Sequence, residues 1–140
     1  MKDADVTTSA AMKTLKQEWF LAGAVSLAMF SAGTVVVWQS GVNAWLFGGV
    51  AGLLMVYQLF HLYRNLSANH APQDVGILFP SLGAGNWITV VRAYLLALLA
   101  GFILLPRPTG DLAWAPGALY AAAAVMDFFD GGVARLTCRS

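Results

Sequence analysis

The chain alternates between long apolar stretches and short polar ones. Four stretches carry almost no charged side chains, and they occupy residues 19–38, 44–63, 87–105 and 116–126. A helix of about 20 residues, rising 1.5 Å per residue, crosses a hydrocarbon core of about 30 Å. The pattern therefore predicts an all-α fold, a polytopic membrane bundle with about four transmembrane helices.

The polar segments divide the chain into four parts. Residues 1–18 carry charges of both signs and predict a polar tail, and residues 19–64 form a helical hairpin. Residues 65–85 are too polar to span a membrane and predict an interfacial linker, and residues 86–140 hold the third and fourth helices, the third capped by Asn86. A cleavable signal peptide is the alternative for the first apolar run, although its apolar region is usually about 7–15 residues long.

Composition strengthens the membrane prediction. Apolar residues make up 59% of the chain and charged residues 11%, against about 45–50% and about 25% in a soluble domain. The net charge of +1 offers no basic field for nucleic acid, which excludes that class of partner.

The single cysteine, Cys138, cannot form an internal disulfide, and one cysteine is too few for a zinc site of the paired-cysteine type. His61, His70 and the carboxylates are therefore the plausible metal ligands.

Basic residues predict the orientation in the membrane. With the N-terminus inside, six of the basic residues near helix ends lie on the cytoplasmic side and only Arg107 lies outside. The same topology places Arg92 of the third helix near the membrane face that Asp127 of the fourth helix approaches. We therefore expect an integral membrane protein whose N-terminus and active-site face are cytoplasmic.

The end of the fourth helix carries the candidate chemistry. At helical spacing one face presents two acids, two small residues and a guanidinium, namely Asp127, Asp130, Gly131, Ala134 and Arg135. Two neighbouring carboxylates in a poorly solvated place repel each other, and an oxygen-seeking cation such as Mg²⁺ would relieve the repulsion and hold substrate phosphates. The small residues would admit a ligand to the backbone and Arg135 would bind a phosphate oxygen. The alternatives are a solvated helix end and a proton or cation relay in a small transport protein.

A second polar stripe lies in the third helix. Asn86, Thr89 and Arg92 recur every three residues within an otherwise apolar run. Each has a simpler interpretation: Asn86 as a helix cap alone, Thr89 bonded to its own backbone, and Arg92 extended to the lipid headgroups.

The two motifs together resemble the CDP-alcohol phosphatidyltransferase family. Residues 127–135 are similar to the first half of its signature, D-x2-D-G-x2-A-R-x8-G-x3-D-x3-D, and residues 86–92 are similar to the N-x-x-T-x-x-R of its first core helix. About 40 residues separate the two motifs, a spacing typical of the family, although Gly85 stands where many members have proline. The resemblance covers residues 86–140, as the first two core helices of an incomplete transferase domain.

The resemblance implies an enzyme of phospholipid biosynthesis that transfers a phosphatidyl group from a CDP-activated lipid to an alcohol and releases CMP. It implies that Asp127 and Asp130 ligate Mg²⁺ or Mn²⁺, and that Arg135 contacts phosphate. Gly131 and Ala134 would line the nucleotide pocket, and the stripe of Asn86, Thr89 and Arg92 would lie beside it.

Family members often pair, which implies a homodimer while leaving the oligomeric state open. The signature's next glycine would fall at position 144, so the last two acids, including the general base, are expected beyond Ser140. The 140-residue chain is then expected to be inactive by itself. The remaining alternative is a non-catalytic helical membrane protein whose acidic face binds a cation for structure.

Overall fold

The structure, a computed structural model, describes residues 2–71 and 74–137, with side chains described within residues 7–70 and 78–129. Four α-helices and a short β-ribbon make up the described chain. They are α1 Lys2–Gln39, α2 Ala44–Arg64, β1 His70–Ala71, β2 Asp74–Leu78, α3 Gly83–Gly101 and α4 Ala115–Thr137. Single 3₁₀ turns at Leu66–Ala68 and Gly110–Trp114 lie in the connections after α2 and before α4.

All four helices are long and apolar enough to cross a membrane, which confirms the predicted helical membrane fold. Helix α3 packs against both α2 and α4, and α1 packs mainly against α2. Tight turns reverse the chain between neighbours: Gly41 ends α1 with a φ of 71°, and the Asn43 side chain then accepts hydrogen bonds from the first amides of α2. The principal core lies between α1, α2 and α3, with Phe47 and Tyr94 as its largest fully buried side chains.

Glycines set the distance between the helices. A Cβ atom built on Gly101 of α3 would lie 2.6 Å from Cδ2 of Phe47 and 3.1 Å from its carbonyl oxygen. Helix α1 lays the Phe30 ring against Gly48 and Gly52 of α2, which leave 3.5 Å and 3.2 Å respectively for an added Cβ. The small residues four apart in α2 therefore do admit a neighbouring helix.

The polar N-terminal segment is helical and continuous with the first span. Within it Leu15 is completely buried, in a second apolar cluster that also contains Leu66 and Leu82. Trp19 and Trp87 pack against the same cluster. This part of α1 therefore packs on the linker and on the start of α3, which a purely solvated tail would not do.

The linker contains an element that the sequence analysis does not predict. Strands β1 and β2 pair antiparallel, with His70 opposite Leu78 and Ala71 opposite Asp74. Asn69 closes the ribbon, since its side-chain amide donates to the carbonyl oxygens of Phe79 and Ser81. Because the ribbon is short, the fold class remains all-α.

The start of α3 corrects the prediction that Asn86 caps this helix. The helix begins at Gly83, so Asn86 lies inside its first turns and donates from Nδ2 to the carbonyl oxygen of Leu82 at 2.7 Å. The carboxylate of Glu18 in α1 accepts from the backbone N–H of Leu82 at 2.7 Å instead. A carboxylate at a helix N-terminus satisfies a free N–H donor and complements the helix dipole.

Candidate functional site

An ion pair joins the two polar motifs. Arg92 of α3 donates from Nη1 to the Oδ1 atom of Asp127 in α4. The contact arises because α3 and α4 pack side by side. The structure thus brings together residues that belong to separate sequence motifs.

The two partners differ in exposure. The Arg92 side chain is 27% exposed and that of Asp127 is 69% exposed. A guanidinium within an apolar helix requires an anionic partner, and Asp127 supplies it. Most of the carboxylate surface stays uncovered by protein, so the group remains accessible to a cation or a polar ligand.

The other two residues of the α3 stripe point elsewhere. Asn86 and Thr89 both line a cavity between α2 and α3, and Arg92 is not among its lining residues. The Thr89 hydroxyl donates to the carbonyl oxygen of Gly85 at 3.1 Å, as its simpler interpretation predicts. The stripe is therefore divided between the cavity and the ion pair with α4.

The rest of the acidic motif continues along α4. Asp130, Gly131, Ala134 and Arg135 all lie in helical backbone, which extends to Thr137. Their side chains lie outside the described residues. Helical continuity places Asp127 and Asp130 one turn apart. Their roles as metal ligands stay predictions.

The described residues test the fit of a divalent cation only in part. Among them no three His, Cys, Asp or Glu side chains gather closely enough to hold a metal. Carboxylate oxygens are the donors that Mg²⁺ prefers, and Mg²⁺ commonly uses one or two of them together with waters and substrate phosphates. Asp127 is exposed and Asp130 follows it one helical turn later. Their two carboxylates are suitable ligands for a site of that kind.

Sequence reasoning misses the cavity between α2 and α3. Its polar lining comes partly from Gln58, His61 and Asn65 of α2 and its end. These three positions follow helical spacing, which places them on one face of α2. The helical spacing of the three residues is the signal that could have revealed the cavity. Each residue taken alone looks like a single polar interruption of an apolar run.

Comparison with known families gives a match in the C-terminal part of the chain. Residues 83–140 match the family model described as CDP-alcohol phosphatidyltransferase, which confirms the resemblance stated from the two motifs. No curated protein and no solved structure gives a significant match to the chain.

Proposed function

From the match of residues 83–140 to the CDP-alcohol phosphatidyltransferase family model, we propose that the protein is an integral membrane phosphotransferase of phospholipid biosynthesis. Its reaction would transfer a phosphatidyl group from a CDP-activated lipid to an alcohol. The alcohol oxygen forms a bond to the lipid-linked phosphorus, the bond from that phosphorus to CMP breaks, and CMP leaves. The hydroxyl proton would pass to a general base.

The observation that carries the proposal is the Arg92–Asp127 pair. It supports a single site built from both family motifs, because α3 and α4 each contribute one partner. Arg92 would hold the Asp127 carboxylate in position. The exposed remainder of the carboxylate stays accessible to a ligand.

The other residues have roles by their chemistry and by the family pattern. Asp127 and Asp130 would hold Mg²⁺ or Mn²⁺, which when bound supplies charge neutralisation for the diphosphate of the donor lipid. Gly131 and Ala134 would leave room for the nucleotide along α4, and Arg135 would bind a phosphate oxygen. We further propose that this end of the bundle faces the cytoplasm, as the distribution of basic residues predicts.

Binding and turnover of CDP-diacylglycerol test this proposal. The 140-residue chain in lipid nanodiscs with Mg²⁺ is expected to bind CDP-diacylglycerol, and Asp127→Asn is expected to weaken that binding at least tenfold. CMP release is measured in parallel for this chain and for a version extended past Ser140, with a panel of alcohol acceptors. Under the proposal the extended version releases CMP and its Asp127→Asn variant does not.

Asp111→Asn is the matched control, because Asp111 is an exposed acid in the turn before α4. This variant should bind and react like the parent protein. Circular dichroism checks that each variant is folded. Unchanged donor binding and turnover in a folded Asp127→Asn variant would contradict the proposal and favour a structural role for the acidic face.

A further inference from the structure

A cavity of about 400 Å³ lies between α2 and α3, and neither Arg92 nor Asp127 lines it. It is formed where α2 ends and α3 begins, and the 3₁₀ turn at Leu66–Ala68 contributes Ala68 to its wall. A space of this size is within the range of ligand-binding pockets. Since it lies at the ends of two membrane-spanning helices, a ligand could enter it from the bilayer interface.

The lining of the cavity selects against charged ligands. None of the described residues that line it is Asp, Glu, Lys or Arg. Its hydrogen-bonding groups are instead side-chain amides, hydroxyls and an imidazole, contributed by Gln58, Asn65, Asn69, Asn86, Thr89, Tyr57, Tyr94 and His61. A phosphate or an ammonium group would lose its hydration there without gaining an opposite charge, whereas an uncharged hydroxyl can both donate to and accept from such groups.

Polarity changes along the cavity. On α3 the polar residues Asn86 and Thr89 come first, and Val90, Ala93 and Tyr94 line the wall about one turn further from the helix start. The ligand that suits this order is polar at the end near the membrane surface and apolar at the deeper end. A lipid has that arrangement, and a free sugar or polyol does not.

Gln58 of α2 extends the hydrogen-bonding part of the cavity inward as far as Ala93. Its Nε2 atom donates to the carbonyl oxygen of Ala93 at 2.9 Å, which ties α2 to α3. Its Oε1 atom is buried and has no hydrogen-bond partner among the described residues. A buried acceptor without a donor is unfavourable, and a ligand hydroxyl could satisfy it.

We propose that this cavity binds the hydroxyl-bearing headgroup of an uncharged membrane lipid, of the diacylglycerol type. The headgroup lies among the amide side chains and the acyl chains leave along the apolar wall. The site is separate from the acidic face of α4 and does not depend on transferase activity.

Photo-crosslinking tests the proposal. The 140-residue chain in phosphatidylcholine nanodiscs is labelled with a photoactivatable dioleoylglycerol, and the crosslinked peptides are identified by mass spectrometry. Labelling is expected within residues 57–69 or 82–94, with at least a fivefold loss in Ala68→Phe, because the added ring fills the cavity. Excess free glycerol is expected not to compete, whereas excess unlabelled dioleoylglycerol is.

Two further variants make the result specific. Ser67→Phe adds the same ring one residue earlier, at an exposed position outside the cavity lining, and should keep full labelling. His61→Phe keeps an aromatic ring beside Tyr57, on which His61 stacks, but it removes the imidazole nitrogens. This variant should reduce labelling even if Ala68→Phe does not fold.

Equal labelling of all these proteins, or equal labelling by a photoactivatable phosphatidic acid, would overturn the proposal. Competition by free glycerol would instead show a site for soluble polyols and overturn the lipid assignment.

Discussion

Arg92 and Asp127 form an ion pair between α3 and α4, and the carboxylate remains 69% exposed while it does so. The pair therefore neutralises a guanidinium within an apolar helix without enclosing the acid. An exposed pair contributes little to stability, typically about 0–1 kcal/mol. The geometry suits an acid that must remain available to a ligand better than one that serves only to join two helices.

A double-mutant cycle separates these two roles. We expect Arg92→Met and Asp127→Asn to show a coupling energy below about 1 kcal/mol in the free energy of unfolding, because the carboxylate is mostly exposed. The measurement is reversible unfolding in detergent, for both single variants and the double variant. A coupling energy above about 3 kcal/mol, the size expected for a buried pair, would show that the contact is mainly structural.

The apolar runs were sufficient to predict the four helices. Membrane-spanning segments must satisfy their backbone hydrogen bonds internally, so they can be recognised in a sequence by their length and hydropathy. The proximity of Arg92 to Asp127 followed from the predicted topology, because two successive membrane crossings bring the start of α3 and the end of α4 to the same membrane face. The same information could not locate Glu18 at the start of α3, since that contact joins positions 64 residues apart. Nor could it find the cavity, which depends on how α2 and α3 are rotated relative to each other.

Gly101 should be intolerant of a side chain. Gly101→Ala places a Cβ atom 2.6 Å from Phe47 Cδ2, and Phe47 is buried and cannot easily move away. We expect a loss of about 1–3 kcal/mol in the free energy of unfolding, the usual cost of overpacking a core. Thermal unfolding in detergent measures this loss.

Gly49→Ala provides the comparison for that substitution. Gly49 lies in α2 with no atom within 4 Å of an added Cβ, so alanine should be neutral or slightly stabilising there. Equal effects of the two substitutions would show that α2 and α3 do not approach each other at Gly101.

Glu18 should stabilise the start of α3. Glu18→Ala removes the acceptor for the Leu82 N–H, and we expect a loss of about 1–2 kcal/mol, as for the loss of a helix cap. Glu18→Gln keeps an oxygen acceptor without the charge and should lose less. Hydrogen exchange of the first amides of α3 measures the local effect, which should be faster exchange in Glu18→Ala.

The neighbouring Gln17 is exposed, and Gln17→Ala should change the stability by no more than about 0.5 kcal/mol. If amide exchange at the start of α3 is the same in Glu18→Ala as in Gln17→Ala, the carboxylate does not cap this helix in solution.

Leu15 tests whether the N-terminal part of α1 is packed. Leu15 is fully buried against Leu66 and Leu82, although it precedes the apolar run of the first span and so lies where water would otherwise reach it. Leu15→Ala should therefore cost about 2–3 kcal/mol, from lost burial and the cavity left behind. Leu27 is 66% exposed within the span, and Leu27→Ala should cost much less, because that side chain contacts lipid before and after unfolding of the bundle. Unfolding in detergent compares the two variants, and equal losses would indicate that residues 7–18 are a solvated tail after all.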